Sequence, residues 1–173
     1  MSDKLPDVID PLLLAERRSV LSGAIKIAAL ERLSDLVAES DGFVEVEVVF
    51  AKENKRPVVS GSIKATLALV CQSCLQSLPW PLEITFKLGV VSSLLEADRL
   101  EIDCEPLLFD GEKVSLIAII EDEILLALPD YPKHGYDCIK RHGSENSDLD
   151  EQHNRPKADN PFSVLAKLKK IGE

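Results

Sequence analysis

Cys71-Gln72-Ser73-Cys74 sets two thiols two residues apart. A turn with that spacing brings both sulfurs to one side, where they can ligate one metal ion or cycle between dithiol and disulfide. His134 and Cys138, in a His-x-x-x-Cys spacing, can complete a set of four ligands with Cys71 and Cys74. A structural zinc site takes four such ligands at about 2.0–2.3 Å, and the Cys₃His inventory suits zinc. Three readings stay open. In the first, Cys71, Cys74, His134 and Cys138 hold zinc. In the second, Cys71 and Cys74 are small apolar residues at a strand end and Cys138 lies in a mobile loop. In the third they are a redox pair. That last arrangement normally precedes a helix whose N-terminus lowers the first thiol's pKa, whereas this pair leads through Pro79-Trp80-Pro81 into a second β-patterned run. His142 and His153 are spare histidines, and Cys104 is an unassigned thiol.

The other unusual chemistry is Glu121-Asp122-Glu123, inside an almost wholly apolar run. At about 100° per residue, three successive side chains fan over about 200° of a helix. They cannot share one wet face, so at least one carboxylate lies beside apolar packing and needs a partner or a raised pKa. A salt bridge to Arg17, Arg18 or Arg32 is the leading reading, and a partner-facing role the next. No nucleophile or second catalytic group stands at a spacing suggesting a reaction, so the chain reads as no enzyme.

The elements around these residues follow from periodicity. Asp10-Pro11 is a helix start, the carboxylate accepting from a free N–H and the proline standing where no N–H is needed. Leu30, Leu33, Leu36 and Val37 predict a helix over residues 28–39. Val44, Val46, Val48 and Phe50 alternate with Glu45 and Glu47; residues 62–70 alternate again with Ile63, Ala65, Leu67 and Leu69 on one side, and Ile84, Phe86 and Leu88 repeat the pattern. Three strands joined by short links read as an antiparallel meander. Residues 94–111 are acidic and irregular, with a strand expected near 99–104. Ser115 caps a helix over 116–128, and Pro129 stops it. The fold class is therefore α+β: an antiparallel β-meander covered by a buried apolar helix, with short N- and C-terminal helices. Residues 1–142 form the globular domain. Residues 143–159 are a flexible acidic and polar linker, too poor in apolar residues to repay their ordering. Residues 160–173 form an amphipathic helix begun by Asn160-Pro161, with Phe162 and Leu165 on its apolar stripe. That helix either docks back on the domain or presents Phe162 and Leu165 to a partner.

Charge narrows the partners. The chain carries a net −10 over 173 residues, and residues 96–130 hold eleven acids against Arg99 and Lys113. Such a body repels a phosphate backbone and favours a basic protein, unless the acidity serves solubility alone. Residues 155–173 hold five bases against two acids, so direct RNA binding would use Arg155 to Lys170. The start of the chain shows no signal peptide, and no stretch approaches 18 uncharged apolar residues. A cytoplasmic protein with no membrane role is expected, its thiols reduced.

Four segments, in order along nearly the whole chain, carry a resemblance. They are Asp10-Pro11; Leu69-Val70-Cys71-Gln72-Ser73-Cys74; Ile120-Glu121-Asp122-Glu123-Ile124-Leu125-Leu126-Ala127-Leu128-Pro129; and Asn160-Pro161-Phe162-Ser163-Val164-Leu165-Ala166-Lys167-Leu168. The chain resembles the YceD family of large-subunit ribosomal RNA accumulation proteins, bacterial and plastid. The resemblance implies a non-enzymatic factor for ribosomal RNA accumulation and ribosome assembly. Some relatives carry more cysteines after the apolar helix, where this chain offers only His134 and Cys138. The expected partner is a basic ribosomal protein or a pre-ribosomal particle, met through an acidic surface that includes Glu121, Asp122 and Glu123, with Phe162 and Leu165 as tail contacts. The alternatives are a metal-dependent or redox enzyme built on Cys71 and Cys74, or a generic interaction module with an indirect ribosomal effect.

Overall fold

The computed structural model of the chain describes residues 5–138. The expected linker 143–159, the terminal helix with Phe162 and Leu165, the basic stretch from Arg155, and the spare His142 and His153 lie outside them. The chain divides into the units Met1–Gly135 and Tyr136–Glu173; the fold described is that of the first.

The centre is a five-stranded sheet in the order β2 (Val20–Lys26), β3 (Phe43–Glu53), β4 (Arg56–Val70), β5 (Ser77–Val91), β6 (Glu105–Leu108). The first four strands run antiparallel to their neighbours, and β6 pairs parallel to β5. Asn54 and Lys55, at φ 47° and 70°, make the tight β3–β4 turn; left-handed residues at both positions match the twist of the flanking strands. The alternation read from the sequence sets the inner face. Val44, Val46, Val48 and Phe50 of β3, Val59, Ile63 and Leu67 of β4, and Leu82, Phe86 and Leu88 of β5 are all buried. Gly61 lies on this face because nothing larger fits there. A Cβ would sit 2.5 Å from the Phe86 ring and 2.7 Å from the Glu47 carbonyl oxygen.

The helices cover that inner face. α1 (Pro11–Arg17) starts as expected, with Asp10 Oδ1 accepting from the Leu13 N–H at 3.0 Å. α4 (Leu116–Ala127) is capped by Ser115, which accepts from the Ala118 N–H, and it buries Leu116, Ile119, Ile120 and Ile124 in the core. A small ladder, β1 (Val8–Ile9) with β7 (Val114–Ser115), ties the start of the chain to the start of α4. The α+β class holds, with an antiparallel sheet and a buried apolar helix.

Several elements differ from expectation, each for a visible reason. Instead of one helix over 28–39 there is a 3-10 turn (Ile27–Ala29) and a single α-turn, α2 (Glu31–Ser34). Extended backbone at Leu30 separates them, and the chain then runs beside the overhanging end of β4, where the Ala38 N–H donates to the Ala68 carbonyl at 2.6 Å. β4 outruns β3 at that end, and its open edge accepts the bonds a helix would otherwise have used. β2 gives a weak sequence signal, since only Leu21 and Ile25 mark its inner face, with Gly23 between them. β5 begins at Ser77, before Pro79 and Pro81. These prolines are tolerated because β5 meets β6 only from Leu88 onward, so they face an edge where no ladder N–H is required. The sixth strand lies at Glu105–Leu108 rather than 99–104. Residues 92–104, including the short α3 (Leu94–Ala97), form the excursion a parallel pairing requires.

Candidate metal centre and a buried carboxylate

Cys71 directly follows β4, and the loop it opens closes on itself. The Cys71 N–H donates to the Gln76 carbonyl at 2.9 Å, and the Leu75 N–H donates to the Cys71 carbonyl at 2.9 Å. Leu75 takes a left-handed φ of 59°, which turns the chain back into β5. A second backbone bond brings in the segment beyond α4, as the Gln72 N–H donates to the Pro132 carbonyl at 2.8 Å. That clip delivers His134, whose Nδ1 lies 3.5 Å from Cys74 Sγ. The ligand atoms of Cys71, Cys74 and His134 lie within 4.8 Å of one another, so these three residues of the first unit form a cluster able to hold a metal ion; Cys138 belongs to the second unit.

The donor set fits the ion expected of it. Zn–S of about 2.3 Å and Zn–N of about 2.05 Å at a tetrahedral angle imply an S···N edge of about 3.6 Å and an S···S edge of about 3.8 Å. The Cys74–His134 separation already matches the first. Burial opposes ionisation of the Cys71 thiol. The backbone N–H groups of Cys74, His134 and Ser73, with the Cys74 thiol, outweigh it and bring Cys71 down to about 5. A thiolate is the form that ligates metal. The four cysteines among the described residues form no disulfide. The pair leads into β5 and not into a helix N-terminus, so the helix that activates a thioredoxin-type thiol is not next in the chain. Cys104 lies elsewhere, beside Gly89 of β5, and burial pushes its thiol up.

Of the three acids in α4, Glu121 is turned inward and is 6% exposed. Its Oε1 accepts from the backbone N–H groups of Arg32 at 2.8 Å and Leu33 at 3.1 Å, and its Oε2 accepts from Arg32 Nε at 2.8 Å. Leu30, the residue before α2, has no capping side chain, so Glu121 caps that turn from 89 residues away. The salt bridge expected for this helix is thus present, with Arg32 as the cation. Arg32 also reaches Asp122 at 2.6 Å, and its pKa is raised by the hydrogen bonds to Asp122 and Glu121. Asp122 is exposed. Glu123 is half-buried, and desolvation, followed by the charges of Glu105 and Asp122, pushes its carboxyl up.

Comparison with known proteins meets these features. The family profile described as "Large ribosomal RNA subunit accumulation protein YceD" matches residues 59–169. The Large ribosomal RNA subunit accumulation protein YceD of Haemophilus influenzae is 33% identical over 169 residues, covering 96% of this chain and 97% of that one. The chain belongs to the YceD family. The YceD match takes in the cysteine pair, the α4 acids and the Asn160-Pro161-Phe162 segment, while Asp10-Pro11 precedes it. The family description names an accumulation protein and not an enzyme. No solved structure matches the chain.

Sequence reasoning missed the Gln72–Pro132 clip because a backbone hydrogen bond has no side-chain signature. Its one trace is the spacing of Pro129 and Pro132, which keeps the helix from continuing past α4. Among the described residues no helix is long and apolar enough to cross a membrane.

Proposed function

We propose that this protein is a non-enzymatic cytoplasmic factor needed for large-subunit ribosomal RNA accumulation and ribosome assembly. It acts through an acidic surface that holds a basic ribosomal protein or a pre-ribosomal particle. The observation that carries this is the 33% identity, over nearly the full length of both chains, to a protein named for large ribosomal RNA subunit accumulation. The excess of acids over residues 96–130 supports a basic protein partner over a bare phosphate backbone. Asp122 belongs to that surface, with Glu123 at its margin; Glu121 supports it from beneath by holding α2 and α4 together. Zinc, held by Cys71, Cys74, His134 and Cys138, has a structural role in this reading, fastening the segment after α4 to the β4–β5 loop.

The test is depletion of the protein from growing cells, with large- and small-subunit ribosomal RNA quantified together. The expected result is a fall in the large-subunit species relative to the small, reversed by the wild-type chain. An unchanged ratio rejects the reading. Pull-down of the full chain at low and moderate salt tests the partner, and recovery of neither ribosomal proteins nor precursor particles rejects that part.

A further inference from the structure

We propose that residues 92–104, the excursion between β5 and β6, are the docking surface for a basic, amphipathic protein segment. The inference rests on the basic-partner reading above and assigns it a place on the fold.

The excursion presents apolar side chains that no packing in the described chain uses. Leu94, Leu95 and Ile102 are 71%, 75% and 108% exposed. Single exposed leucines are ordinary; three large aliphatic side chains standing out on thirteen residues are a denser apolar exposure than that. They are also held in place. Arg56 Nη1 donates to the Arg99 carbonyl at 2.7 Å, Asn54 Nδ2 to Glu101 Oε1 at 3.4 Å, and Lys87 Nζ to Asp103 Oδ2 at 3.3 Å. The Ser92 N–H and hydroxyl both donate to Glu96 Oε2. Leu100 goes the other way, down onto β5, where a Cβ on Gly89 would come within 2.6 Å of its Cδ2. One apolar residue therefore wedges the excursion against the sheet, and three stand outward on a backbone tied at several points. A surface ordered before binding loses less entropy when a partner arrives.

Charge selects the partner. The excursion and its exit carry Glu96, Asp98, Glu101, Asp103 and Glu105, five acids against Arg99 within it and Arg56 and Lys87 reaching it from the sheet. RNA and anionic lipid are repelled by this arrangement. A lysine- or arginine-rich polypeptide is attracted, since its long side chains lay methylene stems over leucine while their heads reach the carboxylates. Beside the excursion opens a cavity of about 280 Å³ whose lining mixes Glu53 and Glu101 with Arg56, Lys87 and Arg99 over an apolar floor at Leu100. It is smaller than typical small-molecule sites and suits one uncharged anchoring side chain of the segment.

The experiment uses full-length protein on a support and, as probe, the protein fraction extracted from purified large ribosomal subunits, with bound chains identified by mass spectrometry. Wild type is expected to retain identified basic ribosomal proteins. L94S/L95S/I102S, whose changes lie at exposed positions and whose melting should match wild type, is expected to lose at least tenfold of that retention. D98N/E105Q is expected to lose binding chiefly at low salt. Equal retention by wild type and L94S/L95S/I102S overturns this docking surface and leaves the basic-partner reading standing. Retention of no ribosomal protein by wild type overturns both.

Discussion

Replacing Glu121 by alanine separates two roles of one carboxylate. The side chain caps α2 through two backbone N–H groups and pairs with Arg32. Losing a helix cap costs about 1 kcal/mol, and leaving a buried N–H such as that of Leu33 without an acceptor costs about 1–3 kcal/mol. Leu33 is fully buried, so water cannot replace the lost acceptor. Glu121→Ala should therefore destabilise the fold by about 2–4 kcal/mol, or roughly 5–15 °C in melting temperature for a domain of this size. Arg32→Ala keeps the carboxylate on both N–H groups and removes only a half-exposed cation, so its effect should be less than half as large. Glu121→Gln should fall between, because its carbonyl oxygen can still accept while its amide faces the guanidinium. Urea unfolding followed by circular dichroism ranks the three. If Arg32→Ala costs as much as Glu121→Ala, ion pairing and not capping is the source of stability, and the reasoning fails. A Glu121→Ala loss below about 0.5 kcal/mol, the range of ordinary surface changes, refutes it altogether.

Native mass spectrometry of the intact chain should show one bound zinc, absent from C74S, and chelation should lower the melting temperature; a metal-free wild type with an unchanged melt rejects the centre. Gly61→Ala should cost about 1–3 kcal/mol through overpacking against Phe86 and the Glu47 carbonyl, read by thermal unfolding. Glu123 has a folded pKa raised above its ordinary value, so its charged form costs stability above that pKa and the cost disappears as pH falls below it. Glu123→Gln should therefore melt higher than wild type at pH 7, with the gain gone below the ordinary carboxylate range. A gain that persists in acid contradicts this sign.

The strands β3 and β4 and the helix α4 were legible because each carries a clear period with chemistry to match. Val44, Val46, Val48 and Phe50 keep one face, with Glu45 and Glu47 between the first three, and Ser115 and Pro129 bracket α4. The short helix α2 and the strand β2 were not legible. A leucine stripe over 28–37 scores as helix whether or not a free strand edge at Ala68 takes over its backbone, and Gly23 blanks the middle of β2's pattern. The parallel pairing of β6 was hidden for a related reason, since parallel partners need no short connection and leave no turn signature.

For the site, the sequence by itself determined the ligand inventory and the need for a partner inside α4. Cysteine spacing is local, and three acids in one apolar helix cannot all reach water whatever lies around them. Only the tertiary structure decided how these needs are met. Cys74 meets His134 across 60 residues through a backbone clip at Pro132. Glu121 caps a turn 89 residues away, with Arg32 as its cation out of three candidate arginines. Long-range pairing depends on where the sheet and helix place each backbone, and periodicity reports which face a side chain takes but not what it finds there.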